Sequence, residues 1–494
     1  TINDRGARLE GVIVEGGLDL SAVKFDRPIA FKHCTFHGPI NLCDARLGHV
    51  RLAQIQAPLL ILRRAEITGD LELSGVALGS QGQVAFDGTA MQASGSIAFT
   101  DGSVTEGVVL LQGTRLGRAL VSRNAEFRNW YRRLPSELPR SKSSDFALCL
   151  DGVTIPGGAA LIDSAIEGFA LFDSAKMASM ELDNCRIARG SGMLSGLSLL
   201  GCRIEGPILL RRLGKFEGVL NLTDTAAESL VDDGSCWKDP SSDAPRSEVE
   251  LKLDEFRYGT VARDVDESGD LSWQSRLAWL KMQPTAHWTS DFRSQPFTQC
   301  ARVLSNIGDA HGSRMILFER ERLRLRSKHV GFWEKLGGHI LGVLAGYGYK
   351  NHFALYWALG IWLLGGLVFG VADYLGEMRP ADPHVLVEAH YQETLRPPTD
   401  YEPVDPLLYS ADILLPIVEL GQQEYWIPRN AGEHIADVDH AFPNLARPIR
   451  SMIAWAFGGW LPKAYYYFEI FMGWLLVSIV IAGFSGLLGH AREE

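Results

Sequence analysis

The chain has 494 residues, room for two to four domains at roughly 150 residues each, and its formal charge of −11 speaks against a nucleic-acid partner. Its seven cysteines form no CxxC pair, so neither a zinc site nor a disulfide framework is expected. No P-loop, HExxH or GxSxG occurs, and Arg189-Gly190-Ser191-Gly192 lacks the following helix that a dinucleotide site needs. The residues therefore support no enzyme, cofactor or metal.

Residues 1–260 carry a repeat. Apolar residues come in i, i+2 pairs (Leu18/Leu20, Val23/Phe25, Ile29/Phe31, Cys34/Phe36, Ile40/Leu42, Ala45/Leu47, Val50/Leu52), and the series runs on to Val76/Leu78 with a weak slot at Ile55/Ala57. Successive pairs start five or six residues apart, which fits neither a helical period nor an uninterrupted strand. A chain that turns a corner about every five residues, each short face sending two side chains inward, accounts for the spacing. That is a β-solenoid. Gly17, Gly38, Gly48, Gly69, Gly95, Gly107 and Gly117 open many of the faces, where corners need positive φ or close backbone approach. Cys34, Cys185 and Cys202 occupy the small inward slot and read as core filler.

In Cys34-Thr35-Phe36, Ala45-Arg46-Leu47, Ala65-Glu66-Ile67, Ala125-Glu126-Phe127 and Cys202-Arg203-Ile204 a small residue stands two places before a large apolar one. In this the stretch resembles the pentapeptide-repeat proteins, which implies a right-handed, four-sided parallel solenoid. A three-sided parallel β-helix fits the spacing as well. At ~20 residues per coil and ~4.8 Å between stacked strands, ten or so coils make a rod of about 50 Å. Two insertions interrupt it, 128–145 and 232–247. Both fit surface loops. The first is the better ligand candidate, because Trp130, Tyr131, Arg132 and Arg133 join aromatics to cations, a mixture suited to a small anionic ligand or a cytoplasmic protein.

Residues 261–350 change to a helical period and form a linker. Trp273, Leu277, Leu280 and Met282 approximate one face, stopped by Pro284. From Pro296 to Arg326 two helices break at Gly308-Asp309, with Ala301, Leu304 and Ile307 inward on the first and Met315, Phe318 and Leu323 on the second. His287 and Asp291, four apart, are spaced to orient one another. Residues 330–346 are amphipathic, with Phe332, Trp333, Leu336, Ile340 and Leu344 as the apolar stripe, and arginines crowd the approach to them. The expectation is an interfacial helix on a membrane.

Residues 351–494 form a two-helix transmembrane domain. Phe353 to Ala372 is an uncharged run long enough to cross ~30 Å of hydrocarbon, and Tyr465 to Leu488 matches it with one carboxylate, Glu469. The arginine excess before the first crossing places the solenoid and the carboxy terminus in the cytoplasm, and the loop 376–463 in the periplasm or outside. With no leader-like segment ahead of the solenoid, a multi-pass protein of the cell inner membrane is expected. Gly366 and Gly370 form a GxxxG face, and Ser478, Ala482 and Gly486 repeat small residues four apart, which predicts helix association and a homo-oligomer in the lipid bilayer.

The loop 376–463 carries thirteen acids against six bases. Within it residues 406–428 are too apolar for an exposed loop and too short to span, so a re-entrant or interfacial piece is predicted. Helix, half-inserted segment, helix is similar to the two-crossing ion-channel architecture, though no TVGYG-like filter is present. Asp412, Glu419 and Glu469 are the pore candidates, favouring cations if they face an axis. The expected function is an oligomeric channel or pore whose solenoid senses or docks a partner. The alternative is a membrane-tethered solenoid scaffold without transport.

Overall fold

Strands of two to four residues cannot sustain a sheet alone, so each short face of the repeat must find its partner one coil along the chain. The computed structural model of the protein describes residues 2–3, 6–79, 84–129, 146–190, 195–233, 235–237, 248–262, 272–349, 352–394, 397–429, 438–457 and 460–484. Two compact units divide the chain, Thr1–Val330 and Gly331–Glu494.

The first unit is a parallel β-solenoid of about 9 turns. Four columns of strands run up it. The first begins Gly6–Glu10, Ile29–Lys32, Val50–Ala53, and the second Ile13–Val14, Thr35–Phe36, Gln56–Ala57. The third begins Leu18–Asp19, Ile40–Asn41, Leu60–Ile61, and the fourth Lys24–Phe25, Arg46–Leu47, Glu66–Ile67. Each regular coil thus has four faces, which selects the four-sided alternative. Register is strict: Ile29 pairs with Val50 and Val50 with Leu71. Every inward pair from Ile29/Phe31 to Val76/Leu78 is buried, the weak slot Ile55/Ala57 included. Slipping one residue would turn a whole column outward.

The expected glycines mostly serve close backbone approach. Many of the left-handed corners fall on other residues, among them Ala22, His33, Asp44, Gln54 and Arg64, with φ between 50° and 57°. Such a conformation costs about 1–2 kcal/mol in an ordinary residue. Here it is imposed by the ladder: the N–H of His33 donates to Ala53 O at 3.0 Å, that of Gln54 to Ser74 O at 2.8 Å, and that of Arg64 to Thr89 O at 2.9 Å. Gly48 and Gly117 serve close approach instead, since a Cβ on Gly117 would lie 2.1 Å from Ser94 O and one on Gly48 2.6 Å from Asp26 O.

Helices close the last coil, whose edge strand Arg257–Ala262 would otherwise present unpaired backbone. They are α1 (Trp273–Leu280), α2 (Thr285–Trp288), α3 (Gln295–Asn306) and α4 (Ala310–Arg324). From α3, Gln295 and Gln299 donate to Phe256 O (3.2 Å) and Tyr258 O (2.7 Å). The second insertion is partly core: Trp237 is buried and packs on Trp279 at 6.2 Å. Beside it Arg276 of α1, 3% exposed, makes a two-pronged ion pair with Asp232, 1% exposed on its side chain, at 2.7 and 2.8 Å.

Two details of these helices differ from expectation. Ile307 is exposed, and α4 buries Ile316, Leu317 and Leu323, with Met315 and Phe318 only half-buried. The cause is the break itself: Gly308 turns at φ 91° and Asp309 caps a fresh helix by accepting from Gly312 N at 2.7 Å, which resets its phase. His287 and Asp291 do not pair either. His287 Nδ1 lies 3.9 Å from Asp254, while Asp291 meets Arg293 at 3.3 Å.

The second unit contains α5 (Phe332–Ala345), α6 (His352–Tyr374), α7 (Pro383–Val387), α8 (Ala389–Thr394), α9 (Pro406–Leu414), α10 (Gln422–Tyr425), α11 (Val438–Ala441), α12 (Arg447–Phe457) and α13 (Leu461–Phe484). Only α6 and α13 are long and apolar enough to cross a membrane among the described residues, and just 28% and 33% of their apolar windows are buried within the unit. At ~1.5 Å per residue both exceed ~30 Å of hydrocarbon. On α5, Phe332, Trp333, Leu336 and Ile340 are exposed as one stripe, while Leu344 turns inward. Within the acidic loop, Met378–Pro380 pairs antiparallel with Trp426–Pro428.

Candidate functional site

The site is the place where α9 meets the two long helices. Its sequence starts a helix firmly, because Asp405 accepts from Leu407 N and Leu408 N, both at 3.0 Å, and Pro406 supplies the first turn. After three turns at most the helix ends at Leu414, followed by Leu415-Pro416.

Small residues decide where α9 lies. A Cβ on Gly366 would sit 2.4 Å from Leu407 Cδ2, and Pro406 covers Gly370 at 3.5 Å. The GxxxG face is therefore occupied by α9 of the same chain. The indole of Trp362 donates to Leu407 O at 2.9 Å, and Ser410 Oγ lies 3.0 Å from Trp362 O. On the other side a Cβ on Gly473 would come within 2.4 Å of Leu414 O. Trp362 and Gly473 stand near the midpoints of α6 and α13. α9 thus starts beside Gly370, passes the middle of α6 at Ser410 and ends beside the middle of α13 at Leu414.

The core around this junction is aromatic. Phe369 meets the Tyr409 ring edge-on at 4.8 Å, and the Tyr465 hydroxyl donates to Ile361 O at 2.7 Å. Glu469 of α13, 0% exposed, sits among these groups with Oε1 2.5 Å from Ser410 Oγ. A Cβ on Gly365 would fall 2.2 Å from Ser410 Oγ and 2.6 Å from Glu469 Oε1, so only glycine leaves room for the pair.

The three carboxylates expected at a pore have separate placements. Glu469 is enclosed by helices of the same chain. Asp412, also buried, holds the chain after α9, accepting from Leu420 N at 2.7 Å and Gln423 N at 2.8 Å, while its carbonyl accepts from the Gln423 side chain at 2.6 Å. Glu419 is exposed, on the loop that Asp412 holds. That loop borders a cavity of about 300 Å³ lined by Asp412, Val418, Glu419, Glu424, Ile470 and Trp474.

Of the remaining predicted residues, Trp130, Tyr131, Arg132, Arg133 and Gly486 lie outside the described residues. Ser478 is exposed and Ala482 half-buried on α13. Cys34, Cys185 and Cys202 are buried, Cys185 and Cys202 donating to Leu161 O (3.0 Å) and Phe172 O (3.1 Å), as filler would. The described residues hold no group of three or more His, Cys, Asp or Glu placed for a metal. Sequence reasoning missed Gly365, Ser410 and Gly473. The signal was there, in a doubled Gly365-Gly366 and a lone serine inside an apolar run, but spacing alone did not say which helix fills the notch.

The chain matches no known family model, no characterised protein and no solved structure.

Proposed function

We propose that the second unit forms a channel or pore in a cell inner membrane as a homo-oligomer, with the solenoid on the cytoplasmic side docking a protein or a small anionic ligand. One observation supports this: α9 runs past the middle of α6, ends beside the middle of α13 and is followed by an exposed loop beside a cavity. Irregular backbone at membrane depth is tolerated where it is buried in protein or lines water. The carbonyl end of a half-helix adds partial negative charge there, and Glu419 adds a full one, a combination that favours cations. Two crossings cannot enclose a pore, so several copies are needed around an axis. On this reading Glu419 faces the conducting path, while Asp412 and Glu469 hold its shape. Reconstitution of the full chain in planar bilayers tests it. Discrete cation-selective currents that lose selectivity in Glu419→Gln support the reading, and silence across conditions refutes it.

A second reading, a membrane-tethered scaffold, draws on a groove of about 510 Å³ along the second strand column, bordered by Thr35, Gln56, Ala77 and Val104. A monomeric particle in nanodiscs together with silent bilayers would favour it.

A further inference from the structure

The hydroxyl of Ser410 has one proton and two oxygen neighbours, Glu469 Oε1 at 2.5 Å and the backbone carbonyl of Trp362 at 3.0 Å. A carbonyl only accepts, and so does a carboxylate, so a single hydroxyl proton can satisfy one of them and not both. If the carboxyl group carries a proton the set closes: Glu469 donates to Ser410 Oγ, and Ser410 donates to Trp362 O. The shorter contact then falls on the stronger donor.

The surroundings agree. Glu469 is fully enclosed, no cation pairs with it among the described residues, and its second oxygen, Oε2, has no hydrogen-bond partner. A carboxylate so placed would be a buried charge without compensation. The titratable groups that face it are Tyr409 from α9 and Tyr465 from α13 itself, with Asp412 and Tyr466 beyond Tyr409. Tyr409 is buried with its hydroxyl unpartnered, Tyr465 is committed to Ile361 O, and Asp412 to two backbone N–H groups. From α6 the contacts are a glycine, Gly365, and the carbonyl of Trp362.

We propose that Glu469 stands in the protein as the neutral carboxylic acid, and that its proton ties the half-helix α9 to both long helices. Glu469 is then a positioning residue. Loss of the proton leaves one hydroxyl hydrogen for two acceptors and a buried charge facing Gly365 and Ser410, so one of the two ties is given up and α9 loosens. Both bonds are made while the proton is present, and one of them is lost when base removes it. The inference goes beyond the proposed pore and rests on it only for any effect on current.

Infrared difference spectra of the full chain in nanodiscs at neutral pH, wild type minus Glu469→Gln, test the protonation. The expected result is a protonated-carboxyl stretch in the wild type, absent from the variant and shifted in Ser410→Ala, where the hydrogen bond is lost. A difference confined to ionised-carboxylate bands overturns the proposal. Amide exchange over residues 406–414, corrected for its intrinsic pH dependence, tests the tie. Protection in the wild type falls at least about tenfold on moving to alkaline pH and does not in Glu469→Gln. An equal response in both proteins overturns it as well. Neither readout needs current, so a silent bilayer would count against the pore alone.

Discussion

Replacing Asp232 with Ala strikes the joint between the solenoid and its closing helices. The carboxylate receives both prongs of Arg276 and the indole N–H of Trp237 at 2.7 Å, all buried. Burial opposes the charge of Arg276, and the adjoining carboxylate outweighs it, leaving the guanidinium above its ordinary pKa and firmly protonated. Alanine therefore strands a buried cation and an indole donor at once. Breaking a buried pair from one side costs about 3–5 kcal/mol, or roughly two to four orders of magnitude in the equilibrium for opening. Amide exchange of the full chain reads this directly. Protection across α1 and the strand Val249–Lys252 is expected to fall by about a hundredfold or more. Asp232→Leu combined with Arg276→Met removes both charges and should recover the part of the loss due to the stranded cation, while the Trp237 indole N–H stays without its acceptor. A change below about tenfold in the single variant would refute the argument that this pair holds the joint.

Three further outcomes follow from the packing. Gly117→Ala drives a Cβ into the backbone of the neighbouring coil and should destabilise the solenoid by about 1–3 kcal/mol, whereas Gly113, at φ 64° with open space around it, should cost only about 1–2 kcal/mol of strain on the same change; denaturant midpoints compare them. Asp412→Ala leaves Leu420 N and Gln423 N without their acceptor and should loosen the Leu415–Gly421 turn by roughly 2–4 kcal/mol, seen as faster proteolysis there while α6 and α13 stay protected. Burial pushes Cys149 and Cys202 up to about 12 and Cys185 and Cys300 up to about 11. Folding favours the protonated thiols, so their contribution is complete below the ordinary value of 9.0 and is lost as pH climbs through 11 to 12. The stability of the chain should fall across that window and fall less in Cys149→Ala, and alkylation near pH 8 should reach surface-lying Cys43 well before these four.

The solenoid was legible because its signal is local and repeated. A pair of inward residues every five or six positions can be counted along the chain, and stacking coils in register is the one way to bury all of them. The same holds for the two long apolar runs, which need only length and composition to be recognised. Which residues take the left-handed corners was not legible, since the ladder's backbone bonds hold Ala, Asp, Gln and Arg in a conformation that local preference assigns to glycine.

The apolar unit shows where reading the chain stops. The residues by themselves determined that Gly366 and Gly370 invite a close neighbour, that residues 406–428 are too apolar for an open loop, and that Glu469 interrupts an otherwise lipid-like run. Only the tertiary structure decided that the neighbour is α9 of the same chain, that Asp412 faces backbone and Glu419 faces out, and that Glu469 meets Ser410 across a notch kept open by Gly365. A small residue announces a vacancy on a helix without naming its occupant. Occupancy depends on contacts between segments far apart in sequence, where no periodicity links one to the other.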